Sequence, residues 1–116
     1  MRYVLLVYAD ESLLPGFMTA DVIGGFEALG RELATRGRLV TMGGLASITS
    51  ATTVRVRDGE VLVSDGPFAE TREQLGGFSV AGFDSLDDAC AHALRVPTAT
   101  IGAVEIRPIM EIAGAG

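Results

Sequence analysis

The chain has few of the residues that build covalent or metal-bound sites. Its 116 residues include one cysteine, Cys90, and one histidine, His92, and they include neither lysine nor tryptophan. One cysteine excludes an internal disulfide and any cysteine-based metal cluster. The carboxylates show no spacing typical of metal ligands. The sequence therefore predicts no metal site, and it indicates no other cofactor.

Basic residues and long apolar runs are also scarce. The nine basic residues are all arginines and the formal net charge is −6. We therefore expect neither a nucleic-acid partner nor an anionic membrane, since either needs a clustered basic face. The N-terminal apolar run, residues 3–9, is too short to span a membrane and lacks a cleavage signature. The sequence predicts a cytoplasmic protein.

Hydrophobic residues are abundant, at 48% of the chain. A full core explains part of this excess, and an apolar face buried in an oligomer explains it better. A chain of this length forms a single domain. We place that domain at residues 1–112, followed by a flexible tail at 113–116.

Apolar periodicity predicts the element order β-α-β, a hairpin, then β-α-β. Continuous or alternating apolar residues predict six strands, at 3–8, 39–42, 53–57, 61–63, 78–83 and 104–107. Helical spacing predicts one helix that follows the N-cap Thr19 and stops at Gly37, and a second that starts at Ser85 and ends near Arg95. Asp58-Gly59 predicts the hairpin turn. Residues 13–18, which contain Pro15-Gly16, are expected to form a loop.

This order is typical of a ferredoxin-like α+β domain built from split β-α-β units. In that arrangement both helices cover one face of an antiparallel sheet and the other face is bare. Burying the bare face against a second copy is the simplest solution, and twofold symmetry is the commonest. The sequence therefore predicts a homodimer.

One connecting segment carries more chemistry than an ordinary loop. Residues 65–78 read Asp-Gly-Pro-Phe-Ala-Glu-Thr-Arg-Glu-Gln-Leu-Gly-Gly-Phe, and connections of this kind often hold binding groups on a rigid scaffold. The segment resembles the signature of the DGPF proteins, a subgroup of the YCII-related family. Residues 8–11, 53–59 and 102–108 are also similar to that family, so the resemblance covers nearly the whole chain.

The resemblance implies a dimeric α/β barrel, and we expect the signature loop, within residues 65–78, to lie near the subunit contact and the cavity. YCII-related proteins are thought to use a His–Asp pair whose histidine comes early in the chain. This sequence has no histidine there. DGPF proteins are often encoded beside extracytoplasmic-function sigma factors, which implies a regulatory role and a protein partner that is not identified.

Two carboxylates are candidate catalytic acid/base groups. Asp65 precedes the Gly66–Pro67 bend, and its alternative role is to cap the amides of that turn. Asp10 follows the first strand, and its alternative is a polar strand end in solvent. The Gly66–Pro67 bond is expected to be trans.

Four further residues are candidate substrate-binding groups, each with a structural alternative. Tyr8 is a hydrogen-bond donor toward the cavity at the end of the first strand, or a polar strand end that reaches solvent. Phe68 covers a pocket or anchors its loop. Glu70 and Arg72 hold a substrate group, or form an ion pair with a neighbouring subunit.

The lone cysteine and histidine both fall on the second helix. Cys90 lies in an apolar helical pattern and is expected to be a buried structural thiol. His92 is only two residues away, so the two side chains point apart. We expect His92 to be a surface or half-buried helix residue, with Asp88 one turn before it.

Two functions from different classes follow. The first is a cofactor-independent enzyme that acts on a small aromatic or lactone-like molecule by proton transfer. The second is a non-catalytic small-molecule-binding or regulatory module. The enzyme requires an enclosed carboxylate with a raised pKa. Exposed or hydrogen-bonded Asp10, Asp65 and Glu70 would favour the binding module.

Overall fold

The structure, a computed structural model, describes residues 1–36 and 38–111. In this part of the chain six strands and three α-helices are connected by loops and 3₁₀ turns. The strands are β1 (Arg2–Ala9), β2 (Leu39–Gly44), β3 (Thr52–Arg57), β4 (Glu60–Asp65), β5 (Gln74–Gly82) and β6 (Gly102–Pro108). The helices are α1 (Leu14–Phe17), α2 (Ala20–Thr35) and α3 (Leu86–Ala93), and the 3₁₀ turns are Glu11–Leu13, Ile48–Ser50 and Pro97–Thr100.

Four of the strands form one antiparallel sheet in the spatial order β2-β5-β1-β6, and β3 and β4 form a separate hairpin. With the hairpin set aside, the chain runs β-α-β-β-α-β with its first and third strands in the centre of the sheet. The predicted α+β fold with a split β-α-β order is therefore confirmed. β6 lies at an edge, which suits Pro108 at its end.

One face of the sheet carries α2 and α3. Tyr3 and Leu5 of β1 pack there with Leu33 of α2 and Ala93 of α3. Phe83 meets the Tyr3 ring edge to face, with 6.2 Å between ring centroids. Because side chains alternate along a strand, Val4, Leu6 and Tyr8 point to the opposite face, and all three are only half-buried there.

Both predicted helix starts are confirmed by capping hydrogen bonds. The Thr19 hydroxyl accepts from the Val22 N–H at 3.3 Å, and the Ser85 hydroxyl accepts from the Asp88 N–H at 3.2 Å. Gly37, the predicted stop of α2, and the predicted tail lie outside the described residues. Of the helices in residues 1–36 and 38–111, none is long and apolar enough to cross a membrane.

The predicted hairpin is also confirmed, with Asp58 (φ 52°) and Gly59 (φ 78°) in its turn. Val54 pairs with Val63 and Val56 with Val61, so the four valines share one face. Each of them is 59–65% exposed. We call these four residues the valine face.

Three local predictions were wrong. Residues 13–18 contain α1 rather than a loop, because Pro15 sits in the first helical turn, where its missing N–H is not needed. β5 begins at Gln74, four residues early, and Gly76 forms a bulge between the partners of Val7 and Tyr8. Cys90 is exposed rather than buried, because α3 buries the stripe that contains Ala89 and Ala93.

Candidate functional site

A cavity of about 820 Å³ lies between α2 and the helix-covered face of the sheet. Helix α2 and strands β5 and β2 supply most of its wall, with smaller parts from β1 and α1. Apolar side chains dominate this wall, among them Val7, Leu14, Met18, Phe26, Leu29 and Met42. At Gly44, where a side chain would enter the space, no atom lies within 4 Å of the position of a Cβ.

Glu11 organises one end of the cavity. Its carboxylate accepts from the Ser47 hydroxyl at 2.9 Å and from the Ile48 N–H at 2.8 Å. Its own N–H donates to Gln74 Oε1 at 3.0 Å. These bonds tie the end of β1 to the start of β5 and to the turn after β2, so Glu11 is a fixed group rather than a free base.

Thr98 lies in the cavity wall and is only 4% exposed. Its hydroxyl is buried and, among the described residues, has no hydrogen-bond partner. The 3₁₀ turn that carries it is held by the Ile101 N–H, which donates to the Thr98 carbonyl at 3.1 Å. Unpaired buried hydroxyls are rare in native proteins; less than 1 Å² of this one is accessible, so a molecule in the cavity does not reach it.

His92 of α3 also lines the cavity and is half-buried, as predicted. Its ring lies 5.5 Å from that of Phe83. Burial lowers the pKa of His92 below its usual value; Glu32 opposes that shift, whereas Arg95 and Arg36 add to it. Glu32 contacts Arg95 at 2.8 Å and Arg36 at 3.1 Å, which fixes the charge near the ring.

The predicted catalytic residue Asp65 lies elsewhere. It ends β4 and is exposed, and the N–H of the following Gly66 donates to the Ala51 carbonyl at 2.7 Å. That turn amide is therefore satisfied by backbone rather than by Asp65. The Gly66–Pro67 bond is trans, as expected.

Three predicted binding residues lie in the signature loop. Phe68 is 77% exposed, so it does not anchor the loop within its own chain. The loop is held instead through its backbone, where the Phe68 carbonyl accepts from Arg55 at 3.2 Å. Glu70 and Arg72 are both exposed.

Asp10, the other predicted catalytic residue, accepts from the Ser12 hydroxyl at 2.7 Å and the Ser12 N–H at 2.9 Å. These bonds hold the pKa of Asp10 below its usual value, and the charge of Arg72 lowers it further. Arg72 is therefore close enough to act on the charge of Asp10, and neither residue lines the cavity.

Tyr8 faces the opposite side of the sheet. Its hydroxyl donates to Glu105 Oε1 at 3.2 Å, while Glu105 Oε2 contacts Arg107 Nε at 2.8 Å. Burial and the Glu105 carboxylate raise the pKa of Tyr8. Within residues 1–36 and 38–111, none of the six predicted site residues lines the cavity.

The family model of the YCII-related domain matches residues 1–113. The chain belongs to the YCII-related domain family. This YCII-related protein is 37% identical over 114 residues to an uncharacterised protein of Rhizobium meliloti, covering 94% of this chain and 92% of that protein.

A solved structure shares the fold of this YCII-related protein. It is 5-chloro-2-hydroxyhydroquinone dehydrochlorinase (TftG) from Burkholderia phenoliruptrix AC1100, in complex with 2,5-dihydroxybenzoquinone. The TM-score is 0.59 and the sequence identity is 12%, over 95% of this chain and 94% of that chain. At this identity the likeness establishes the fold and not the reaction.

Sequence reasoning missed Thr98 and the place of His92 in the cavity wall. Glu11 carried a usable signal, since a polar residue directly after a central strand lies at the rim of the sheet. Thr98 carried none, because its environment depends on α2 packing over the turn at Pro97–Thr100.

Proposed function

We propose that this YCII-related protein binds a small, largely apolar organic molecule in the cavity between α2 and the sheet. The observation that carries the proposal is the cavity itself. Its volume of about 820 Å³ falls in the range of roughly 300–1,000 Å³ that ligand sites occupy. Its apolar wall with a few polar residues, among them Glu11 and His92, is also typical of such sites.

The fold comparison supports the same conclusion. The TftG structure holds 2,5-dihydroxybenzoquinone, a compound with one six-membered ring. A protein of this fold therefore accommodates a ligand of the size that the cavity admits. Fold likeness alone does not assign the ligand of this chain.

The methionines provide a direct test. Met18 and Met42 line the cavity, whereas Met1 and Met110 are 73% and 78% exposed. With ¹³C-labelled methionine methyl groups and 2-naphthol as the probe, we expect the Met18 and Met42 signals to shift and those of Met1 and Met110 to stay. Equal shifts at all four methyls, or none at millimolar probe, would contradict binding in this cavity.

Binding without carboxylate catalysis is the function that the single chain supports best. Asp65 and Glu70 are exposed, and Asp10 is held by two hydrogen bonds that lower its pKa. A carboxylate, whose ordinary pKa already lies far below 7, becomes a still weaker base when that pKa is lowered, unlike an imidazole, whose ordinary pKa lies near 7. Carboxylate chemistry by Asp65 or Asp10, with Tyr8, Phe68, Glu70 and Arg72 around the substrate, requires that a second subunit enclose the signature loop.

A cofactor-independent proton-transfer enzyme is the second candidate, and His92 favours it. Its lowered pKa keeps the imidazole neutral near pH 7, so it is able to accept a proton from a molecule in the cavity. The probe for this candidate is α-angelica lactone, a small neutral lactone with an acidic ring C–H.

In D₂O we expect wild type to accelerate deuterium exchange at that C–H, measured by ¹H NMR. If His92 is the base, His92→Gln should lose the acceleration. If Asp65 in the signature loop is the base, Asp65→Asn should lose it instead. Exchange at the buffer rate with wild type would reject the catalytic candidate and leave the methionine result unaffected.

We also propose that the protein is a homodimer. The chain exposes 7866 Å², against about 6,000 Å² for a compact chain of this length. Its radius of gyration is 16.1 Å, against about 13 Å expected. The bare sheet face and the valine face are the apolar surfaces that a second copy would cover.

The 65–78 segment supports membership of the DGPF subgroup. If the protein has the regulatory role, we propose that it also binds a separate protein partner.

A further inference from the structure

We infer that the hairpin of a second copy closes the cavity and that its valine face supplies the missing part of the apolar wall. This inference rests on the binding function and the homodimer proposed above, and it names the residues that the partner contributes to the binding site. The complete ligand site then exists only in the assembled protein.

The cavity is open between α2 and β2. Three of its lining residues, Ile23, Met42 and Leu45, are 44–47% exposed, whereas Leu29 and Leu33 in the same wall are buried. We call Ile23, Met42 and Leu45 the cavity mouth. An apolar ligand would keep part of its surface in water at the mouth, while ligand pockets usually bury about 70–90% of their ligand.

The chain does not cover the mouth with its own hairpin. The valine face is 59–65% exposed, and β3 and β4 pair with no other strand in the described residues. Arg55 and Arg57 alternate with the valines along β3, so they point to the opposite face of the hairpin. The hairpin is therefore an amphipathic arm whose apolar side stays in water in the isolated chain.

The base of this arm is fixed at the rim of the cavity. Ser47 and Ile48, shortly before β3, donate to the cavity-lining carboxylate of Glu11 at 2.9 Å and 2.8 Å. Directly after β4, the Gly66 N–H donates to the Ala51 carbonyl at 2.7 Å. Six residues in each strand extend about 20 Å at roughly 3.4 Å per residue, so the arm is long enough to reach across the rim of a neighbouring copy.

A second copy is the partner that fits both surfaces. The chain exposes roughly 1,900 Å² more than a compact chain of its length, and a standard interface buries only about 800 Å² of each partner. Each copy carries one apolar arm and one apolar mouth, so a twofold pair that exchanges arms covers both at once. A different protein bound to the arm would leave the mouth open.

Cross-linking between single cysteines locates the arm. In a Cys90→Ser background, one batch carries Leu45→Cys at the mouth and a second batch carries Val61→Cys on the valine face. Each chain then holds one cysteine, so a short bismaleimide that joins Leu45→Cys to Val61→Cys in an equal mixture reports contact between copies. Mass spectrometry of the linked peptides identifies the pair.

Ser64→Cys is the matched control for Val61→Cys, because Ser64 lies on the opposite face of the same strand. We expect linkage of Leu45→Cys to Val61→Cys and little linkage of Leu45→Cys to Ser64→Cys. Equal linkage to both positions, or linkage to neither, would overturn the placement of the arm at the mouth.

Binding of 2-naphthol tests whether the arm completes the wall. Val63→Glu puts a charge on the valine face, and because Val63 is 65% exposed we expect the single chain to stay folded, as circular dichroism checks. Val63→Glu should bind 2-naphthol about tenfold more weakly than wild type, read at the Met18 methyl, since the ligand loses one apolar side of its enclosure. Ser64→Glu is the control and should keep the wild-type affinity.

The two experiments decide separate claims. Wild-type affinity in a folded Val63→Glu protein would overturn the completed wall and leave binding in the cavity intact. If 2-naphthol shifts neither Met18 nor Met42 in wild type, the binding function is rejected, while the cross-links still decide whether the arm covers the mouth.

Discussion

At Gly102 a single hydrogen atom in place of a side chain lets the ends of β1 and β6 pair. Gly102 lies opposite Ala9, and a Cβ at this position would overlap the carbonyl oxygen of Tyr8. The clash is with a backbone atom, which cannot move away by changing rotamer as a flexible side chain can. The pairing of β1 and β6 therefore requires glycine at position 102. This pairing positions Asp10 and Glu11, which follow β1 at the rim of the cavity.

We expect Gly102→Ala to lower the free energy of unfolding by about 1–3 kcal/mol, the usual cost of overpacking. Urea unfolding followed by circular dichroism measures it. Gly44→Ala is the matched strand control, because nothing lies within 4 Å of its Cβ position. Equal effects from the two substitutions would show that the loss of glycine, and not the clash at Tyr8, is responsible.

The lowered pKa of His92 predicts that the free energy of unfolding decreases in mild acid. Its pKa is lowered by burial in the folded state, so between that value and the ordinary value near 6.5 the unfolded chain binds more protons. Its contribution to stability is therefore complete above about pH 6.5 and is lost as the pH falls through the folded pKa. Glu32, Arg36 and Arg95 are the charges around it.

Thermal unfolding from pH 7.5 to 5.5 should show a smaller loss of stability in His92→Gln than in wild type. The carboxylates titrate mainly below this window, and both proteins share them. Parallel curves for the two proteins would show that His92 does not contribute to the acid response.

At the scale of elements, the sequence predicted features that depend on a few neighbouring residues. It did not predict features that depend on how the elements pack together. The hairpin followed from Asp58-Gly59, and the helix starts followed from Thr19 and Ser85, because each is decided within a few residues. The early start of β5 depends on pairing with β1, and the exposure of Cys90 depends on which stripe of α3 meets the sheet. The cavity depends on α1, α2 and the Pro97–Thr100 turn meeting, so the sequence did not reveal it.

Substitutions at two glycines of α2 test the stability of this helix and the shape of the cavity separately. A Cβ at Gly30 would lie 2.8 Å from the Met42 sulfur, while a Cβ at Gly24 would meet nothing within 4 Å. Gly24→Ala should therefore raise the free energy of unfolding by about 0.5–1 kcal/mol and leave probe binding unchanged.

Gly30→Ala should weaken 2-naphthol binding, because Met42 has to move within the cavity wall. We expect a change of about threefold to tenfold, comparable to the loss of one good apolar contact. Titration followed at the Met42 methyl measures it. Gly24→Ala is the control. If Gly30→Ala binds 2-naphthol with the affinity of wild type, the probe lies away from α2.

At the scale of the whole molecule, the chain exposes more surface than a compact chain of its size, and many large apolar side chains are part of it. The valine face projects on a hairpin that pairs with no other strand in the described residues. The open sheet face adds Val4, Leu6 and Val80, with the Tyr8–Glu105–Arg107 cluster at its edge. The number of apolar residues predicted that a surface of this kind would exist, but not that it would be divided between sheet and hairpin.

Val63→Glu should convert the proposed dimer into a monomer, because it would bury a charge within the valine face. Ser64→Glu is the matched control, since it adds the same charge to the opposite face of the same strand. Light scattering at micromolar concentration gives the mass of each. A wild-type monomer would refute the dimer, and a dimeric Val63→Glu protein would place the contact elsewhere.

In the proposed dimer, the valine face would make stability depend on dilution. Four side chains that stay mostly exposed in an isolated chain would gain apolar cover only on a second copy, so assembly and folding would share one free energy. The Tm of such a protein rises with its concentration. A freshly synthesised copy that has not met its partner is then the least stable and most aggregation-prone form of the molecule.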